Sequence, residues 1–305
     1  MQPCLPRMIL AAALATALLA ASAQPAPPRV SRPAKNLLLL GWDGVQWNHL
    51  QELLAAGKLP HLAKLQAEGS FAHALVSDHA TDTKSGWVQI CSGLPASESG
   101  THSNSDYRPL PPGATLFERL ERRSGGAVFT CFVAGKSHHL GSLGPGVSFL
   151  KRRRLANSGE GEPWFHTRAG FDQWFGDQHR EAGEVGHLLL NVLRQYGRYN
   201  RFAIFAHFAD PDTMGHAHGE NSPEYAEAII TCDRWLGEVA AMLQQHGLLE
   251  DTVVAVVTDH GFDEGAQQHW HAPDIFFAAN RPGLALSNGD MRDIAPVLLR
   301  LVAGD

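Results

Sequence analysis

Basic surplus, cysteine and long apolar runs are all scarce in this 305-residue chain. With 25 Lys and Arg against 31 Asp and Glu, the formal net charge is −6, which leaves no basic footprint for a nucleic-acid polymer. Past the first two dozen residues, no segment approaches the roughly 20 apolar residues that a membrane-crossing helix needs. There are four cysteines, and Cys4 lies in the N-terminal segment. Cys91, Cys131 and Cys232 sit in apolar contexts ("WVQICSG", "VFTCFVA", "AIITCDRW"). An odd number cannot pair completely within one chain, so buried free thiols are expected. No internal repeat is visible.

What the chain has instead is apolar bulk and histidine. A hydrophobic content of 44% can build one large core, or one domain with an insertion. The 17 histidines fall in clusters rather than evenly. At the N-terminus, Arg7 supplies a positive charge, Met8 to Leu19 a short apolar stretch, and Ala21-Ser22-Ala23 a small-residue cleavage signal. Residues 1–23 are therefore expected to be a signal peptide, and "QPAPPRVSRPAK" (24–35) a proline-rich linker. This predicts an exported protein, periplasmic or secreted, with no stable membrane anchor once the signal is cut.

From residue 36 to 305, strand-like and helix-like segments alternate. "NLLLLGWDG" (36–44), "AVFTCFVAG" (127–135), "RFAIFAHFADPD" (201–212), "TVVAVVTDHG" and "DIFFAAN" read as strands. "WVQICSG", "TLFERLERR", "EVGHLLLNVLRQYG", a long segment from about Pro223 to His246, and "DIAPVLLRLVAG" read as helices. The alternation predicts an α/β fold with a mainly parallel sheet between helices. The stretch from His138 to Gly183 lacks periodicity and is expected to be a small cap insertion.

Three of the strands share one property. "LLLLGWD", "AIFAHFADPD" and "VVAVVTDH" carry carboxylates or imidazoles at or just past their C-terminal ends. Those ends lie along one edge of a parallel sheet, where open α/β folds keep their ligand sites. Asp43, Asp212 with His216, and Asp259 with His260 should converge there. Alone, each Asp reads equally well as a helix cap or an Asx-turn residue. Together they would repel one another unless a cation lay between them, and mixed Asp and His donors suit zinc or a similar divalent ion. His269 or His271 can return from the following loop to complete the set.

In "TDTKSGWVQICSGLPASESGTHSN" (81–104), Thr83 stands at the start of a short helix ending at Gly93. Positive potential at a helix N-terminus favours an alkoxide there, although a plain N-cap explains the local sequence equally well. The nearby metal set tilts the choice toward a nucleophile.

Taken in order, "GWDG", "TKSGWVQICSG", "DPDTMGH", "CDRWLG" and "VVTDHGFDEG" resemble the alkaline phosphatase superfamily, in particular its type I phosphodiesterase and nucleotide pyrophosphatase branch. The resemblance covers nearly all of the chain after the linker. It implies one metal held by Asp212, His216 and His269, and a second held by Asp43, Thr83, Asp259 and His260, most simply two Zn2+. It also implies Thr83 as nucleophile, forming a phospho-threonine that water releases, and Asn104 as donor to a non-bridging phosphoryl oxygen. Thr81 is the less favoured nucleophile, because Thr83 has the family spacing to Gly93.

The chain departs from that pattern in two places. "QQHWHAP" offers two histidines where the branch has one, and His269 fits the distance to Ala272-Pro273 better than His271. "FVAGKSHHLG" resembles a sulfate-gripping stretch of sulfatases, yet Thr83-Lys84-Ser85 lacks their nucleophile motif. Lys136, with His138 or His139, then becomes a contact for a substrate oxygen, or a solvated loop. His49, His61 and His246 are expected at the surface. The expected function is an exported metal-dependent phosphoester hydrolase of small molecules, with a phosphate monoesterase or phosphonate hydrolase as the nearest alternative. A catalytically silent metal-binding relative is the rival from another class.

Overall fold

A computed structural model describes residues 34–303, apart from 109, 137–170, 177, 200 and 288. The expected signal peptide, residues 24–33 of the linker, His138 and His139, and residues 138–170 of the expected cap lie outside the described residues.

The chain runs through β1 (Asn36–Trp42), α1 (Trp47–Ala55), α2 (Pro60–Glu68), β2 (Ser70–Leu75), α3 (Thr83–Ser92), α4 (Ala96–Ser99) and α5 (Leu116–Arg123). Next come β3 (Phe129–Ala134), β4 (Gln173–Phe175), α6 (Ala182–Tyr196), β5 (Phe202–Phe208) and α7 (Asp210–His218). It closes with α8 (Pro223–Gln245), β6 (Thr252–Val257), β7 (Asp274–Ala279) and α9 (Ile294–Ala303).

One seven-stranded sheet results, in the order β2-β7-β6-β1-β5-β3-β4. β1 pairs parallel with β5 and β6, and β3 pairs parallel with β5 and β4. β7 runs against both β6 and β2. The sheet is thus mixed with a parallel centre. Its strands are apolar on both faces because helices cover both. In β1, Leu38, Leu40 and Trp42 join a core built with α1, α2, α6 and α8, through residues such as Leu50, Leu62, Leu189 and Ile229. Leu37 and Leu39 face the other way, into a core with α3, α5 and α9 that includes Trp87, Phe117 and Leu298.

The parallel centre brings the C-terminal ends of β1, β3, β5 and β6 to one edge. Asp43, Lys136, Asp212 and Asp259 all follow those ends within a few residues. β2, β4 and α7 are among the elements absent from the pattern read in the sequence. β2 ("SFAHAL") is a half-exposed edge strand with weak alternation, and β4 has only three residues. α7 begins at Asp210-Pro211, where "ADPD" reads as the tail of a strand; proline in a first turn suits a helix start. The described end of the expected cap, from Phe171 onward, belongs to β4 at the sheet edge and to the start of α6. Cys91, Cys131 and Cys232 are buried and unpaired, as expected.

One packing contact is open to a direct test. Leu59 gives α2 no side-chain cap, and the buried Asp233 of α8 takes the amide protons of Leu62 (2.7 Å) and His61 (3.2 Å) instead. Asp233→Ala should cost about 1–2 kcal/mol, the range for a lost N-terminal cap. Urea unfolding should show a lower midpoint with an unchanged slope. An unchanged midpoint would mean that this capping contact contributes nothing to stability.

Candidate metal centre and active site

Seven of the expected site residues meet at the sheet edge. Asp43, Asp259 and His260 are fully buried, and Asp212, Thr83 and His269 nearly so. His216 is more open, with 42% of its side chain exposed. Helix α7 sets Asp212 and His216 four residues apart, one turn along a single face.

Each carboxylate has one oxygen tied down and one bare. Asp259 Oδ1 accepts the Gly44 amide at 3.2 Å. Asp43 Oδ2 accepts from the Lys136 ammonium and from His207 Nε2, both at 2.9 Å. Asp212 Oδ2 pairs with the same ammonium. Asp43 Oδ1, Asp212 Oδ1 and Asp259 Oδ2 are buried without a hydrogen-bond partner among the described residues. Buried oxygens are rarely left so, and together they make a set of donors aimed at one place.

The imidazoles are arranged to match. Nδ1 of His216 bonds the Gln267 carbonyl at 2.8 Å, Nδ1 of His260 that of Gly261 at 2.9 Å, and Nδ1 of His269 that of Thr81 at 2.6 Å. A carbonyl only accepts, so each Nδ1 carries a proton, and the Nε2 lone pair of each ring, when neutral, is turned toward the carboxylates. Those lone pairs converge. His269 Nε2 lies 3.1 Å from His216 Nε2 and 3.8 Å from Asp212 Oδ1. His260 Nε2 lies 3.5 Å from Asp43 Oδ1 and 3.6 Å from Asp259 Oδ2. Donor atoms of Asp212, His260 and His269 lie within 4.8 Å of one another, as do those of Asp43, Asp259 and His260. Either trio could hold a metal ion. His216 stands beside the first trio rather than within it, and His260 belongs to both.

Electrostatics agrees with this donor set. Burial would raise the Asp43 carboxyl, but Lys136 and His207 hold it well below the usual range. Burial and Asp43 also push Asp212 upward, and Lys136 and His216 reverse that. Asp259, which has no Lys or Arg partner among the described residues, is pushed well above the usual range by burial and then by Asp43. Burial opposes the charge on Lys136, yet Asp43 and Asp212 raise its pKa. Burial, and then His269, push His260 down to about 4. It therefore stays neutral, with its lone pair available, through the physiological range. The cluster holds more carboxylate than Lys136 can balance, and divalent ions fit the remainder.

Thr83 opens α3, and Asp82 is the N-cap residue. The Thr83 hydroxyl faces His260 Nε2 at 3.4 Å. Thr81, by contrast, donates its hydroxyl to the His269 carbonyl. Asn104 is fixed beside the α3 N-terminus, its Oδ1 accepting the Lys84 amide at 2.9 Å and its own amide donating to Asp82 Oδ2 at 2.8 Å. That leaves the Asn104 side-chain NH2 as its donating end. His271 points away, with 85% of its side chain exposed. His49 is a correction. Expected at the surface, it is largely covered and pairs with the buried Glu220 at 2.8 Å, because α1 packs beside the chain that leaves α7. His61 and His246 are exposed, as expected.

Two residues that matter here escaped the sequence reading. His207 supports Asp43 from inside β5, and its signal was an imidazole in an otherwise apolar strand ("FAIFAHF"). Gly86 lets α3 lie against Asp259: a Cβ there would stand 2.7 Å from Asp259 Cβ and 2.8 Å from its carbonyl oxygen.

Comparison with known proteins agrees with this arrangement. Residues 37–298 match the family profile described as type I phosphodiesterase / nucleotide pyrophosphatase. The chain belongs to that family. It is 23% identical over 254 residues to ectonucleotide pyrophosphatase/phosphodiesterase family member 7 of Mus musculus, covering 81% of this chain and 54% of the relative. The chain thus spans about half the length of the curated relatives it matches first. A shorter match, 30% identical over 122 residues, joins 37% of the chain to 22% of a 2,3-bisphosphoglycerate-independent phosphoglycerate mutase of Nitrosococcus oceani. The fold is that of alkaline phosphatase. The enzyme from the Antarctic bacterium TAB5 superposes with a TM-score of 0.59 at 13% identity, covering 88% of this chain and 98% of that one. The lipoteichoic acid synthase LtaP of Listeria monocytogenes gives 0.56 at 16% identity, over 88% and 72% of the two chains.

Gly86→Ala isolates the approach of α3 to Asp259. Alanine by itself favours a helix by about 1 kcal/mol, so propensity alone predicts a gain in stability. The close contact predicts the reverse: a lower melting temperature and weaker retention of divalent metal through dialysis, with far-UV circular dichroism unchanged. Undiminished metal retention would show that the contact is dispensable.

Proposed function

We propose that this protein is a phosphoester hydrolase that binds two divalent metal ions and uses Thr83 as its nucleophile. One observation carries the reading: bare oxygens of Asp43, Asp212 and Asp259 and Nε2 atoms of His216, His260 and His269 converge beside the Thr83 hydroxyl. Asp212, His216 and His269 would hold one ion, and Asp43, Thr83, Asp259 and His260 the other, with zinc suited to these donors. When bound, the ions supply the positive charge that favours a threonine alkoxide and offsets charge on the phosphoryl group.

This chain's own residues account for the rest. Thr83 Oγ attacks phosphorus, the bond to the leaving oxygen breaks, and that oxygen departs with a proton as an alcohol. Water then attacks the phospho-threonine, the Oγ–P bond breaks, and Thr83 regains its proton. The Asn104 NH2 donates to a phosphoryl oxygen as its charge shifts, and the positive potential at the start of α3 acts in the same direction. Lys136 spends two of its three donors on Asp43 and Asp212, and the third remains for a substrate oxygen. The names of the relatives favour phosphodiesters or nucleotide pyrophosphates as substrates, with phosphate monoesters and phosphonates as the neighbouring class. The prefix ecto- in those names fits the export expected from residues 1–23.

Thr83→Ala should fold, keep its metal and lose activity on bis(p-nitrophenyl) phosphate by about a thousandfold or more. Thr83→Ser should keep part of it. Mass spectrometry of acid-quenched enzyme should find phosphate on Thr83, and an adduct elsewhere would falsify the mechanism.

Metal content is tested separately. Plasma emission analysis should find two ions per chain, fewer in Asp259→Ala and His260→Ala, and a chelator should abolish turnover. Absence of metal together with no activation by added zinc would overturn the reading. For Lys136→Ala, a terminal phosphate oxygen is lost as a partner only in monoesters, so monoester turnover should fall further than diester turnover. Equal losses would confine Lys136 to holding Asp43 and Asp212.

A further inference from the structure

Trp270 is 72% exposed, the most exposed of the large apolar side chains among the described residues. Isolated apolar residues at a surface are common and need no explanation. This one differs in how firmly its backbone is held. Asp263 accepts the amides of both Trp270 (3.2 Å) and His271 (2.8 Å) with its two carboxylate oxygens. The turn closes on itself through Asp263 N to the Gln268 carbonyl and Ala266 N to the Asp263 carbonyl, both at 2.9 Å. Buried Glu220 fastens the same turn, accepting the Gly265 amide at 3.0 Å and donating its own amide to Ala266 at 2.9 Å. On the other side, Thr81 holds His269 through both its carbonyl and its ring.

A rigid backbone therefore presents a bare indole to solvent. The indole makes no ring contact and no side-chain hydrogen bond among the described residues. Tyr199, the next most exposed, lies against Arg198. The root of the indole is one Cα step, about 3.8 Å, from His269, whose Nε2 faces Asp212. Thr81, which clamps His269, is two residues before Thr83.

We infer that Trp270 is a substrate-binding platform that stacks on a planar aromatic group carried by the phosphoester, either an aryl ring or a nucleobase. This rests on the phosphoester reading of the same centre and deepens it, since the centre itself grips only the phosphoryl group. With the backbone held, only the two χ angles of the indole remain to be ordered when a ring lies on it, and offset stacking needs only a flat partner. The device would bias the enzyme toward aromatic esters without touching the reacting atoms.

Two inhibitors with the same charged head separate the two readings. Phenylphosphonate and methylphosphonate should both compete with bis(p-nitrophenyl) phosphate on the wild-type enzyme, phenylphosphonate the more tightly. Trp270→Ala should weaken phenylphosphonate by about fivefold, the size of one aromatic pair, and leave methylphosphonate where it was. Trp270→Phe should restore most of the difference. If neither compound inhibits the wild type, the phosphoester reading itself fails. If both inhibit and Trp270→Ala changes them equally or not at all, the platform is overturned. Loss of binding to phosphatidylcholine vesicles in Trp270→Ala, with phenylphosphonate inhibition intact, would assign the indole to a membrane surface instead and likewise overturn it.

Discussion

Three buried carboxylates on neighbouring chain segments repel one another, and the upper edge of the sheet is organised around that repulsion. Two unit charges 4 Å apart cost about 4 kcal/mol at an effective dielectric constant of 20, a large share of a domain's stability. Lys136 and His207 converge on the Asp43–Asp212 side of the cluster, and the Gly44 amide on the Asp259 side. None of them fully balances it. The imbalance is itself informative, because a fold that only had to be stable would not concentrate acid residues where solvent cannot reach them.

The same constraint explains features that look unrelated. Three imidazoles have their Nδ1 atoms committed to backbone carbonyls, which fixes the ring orientation and leaves each Nε2 as the atom that faces the cluster. Helix α3 lacks a side chain at Gly86, so its amide-rich end can stand against Asp259. Gly44 adopts a positive φ of 70° directly after Asp43, a turn in which any Cβ would press on the Asp212 side chain. Loops, caps and glycines serve one cluster.

The central strands and the long helices were legible in the sequence because both periodicities were strong there. "NLLLLGW" and "TVVAVV" are apolar without interruption, and a strand buried on both faces leaves no other pattern. The clustering of Asp43, Asp212 and Asp259 was legible for a different reason: parallel strands must put their ends on one edge. The short edge strands β2 and β4 were not, since marginal hydrophobicity separates an edge strand only weakly from a loop. The second carboxylate partner of Lys136 and the support of Asp43 by His207 were also hidden. Both depend on contacts between residues at least 70 positions apart, which no local window contains. His49 was misread because a polar side chain on an amphipathic helix looks solvent-facing until its buried partner, here Glu220, is known.

The reversed direction of β7 has a consequence beyond topology. A parallel crossover would have carried the chain from the end of β6 to the far side of the sheet. Because β7 runs back against β6, the connection from Thr258 to Pro273 leaves and returns at the same rim. Apart from Asp259, His260 and His269, residues of that segment can change without shifting the register of any strand. Evolution thus has a place to remodel what the protein accepts while the scaffold beneath stays untouched, a separation of tinkering from architecture that a strictly parallel sheet would deny it.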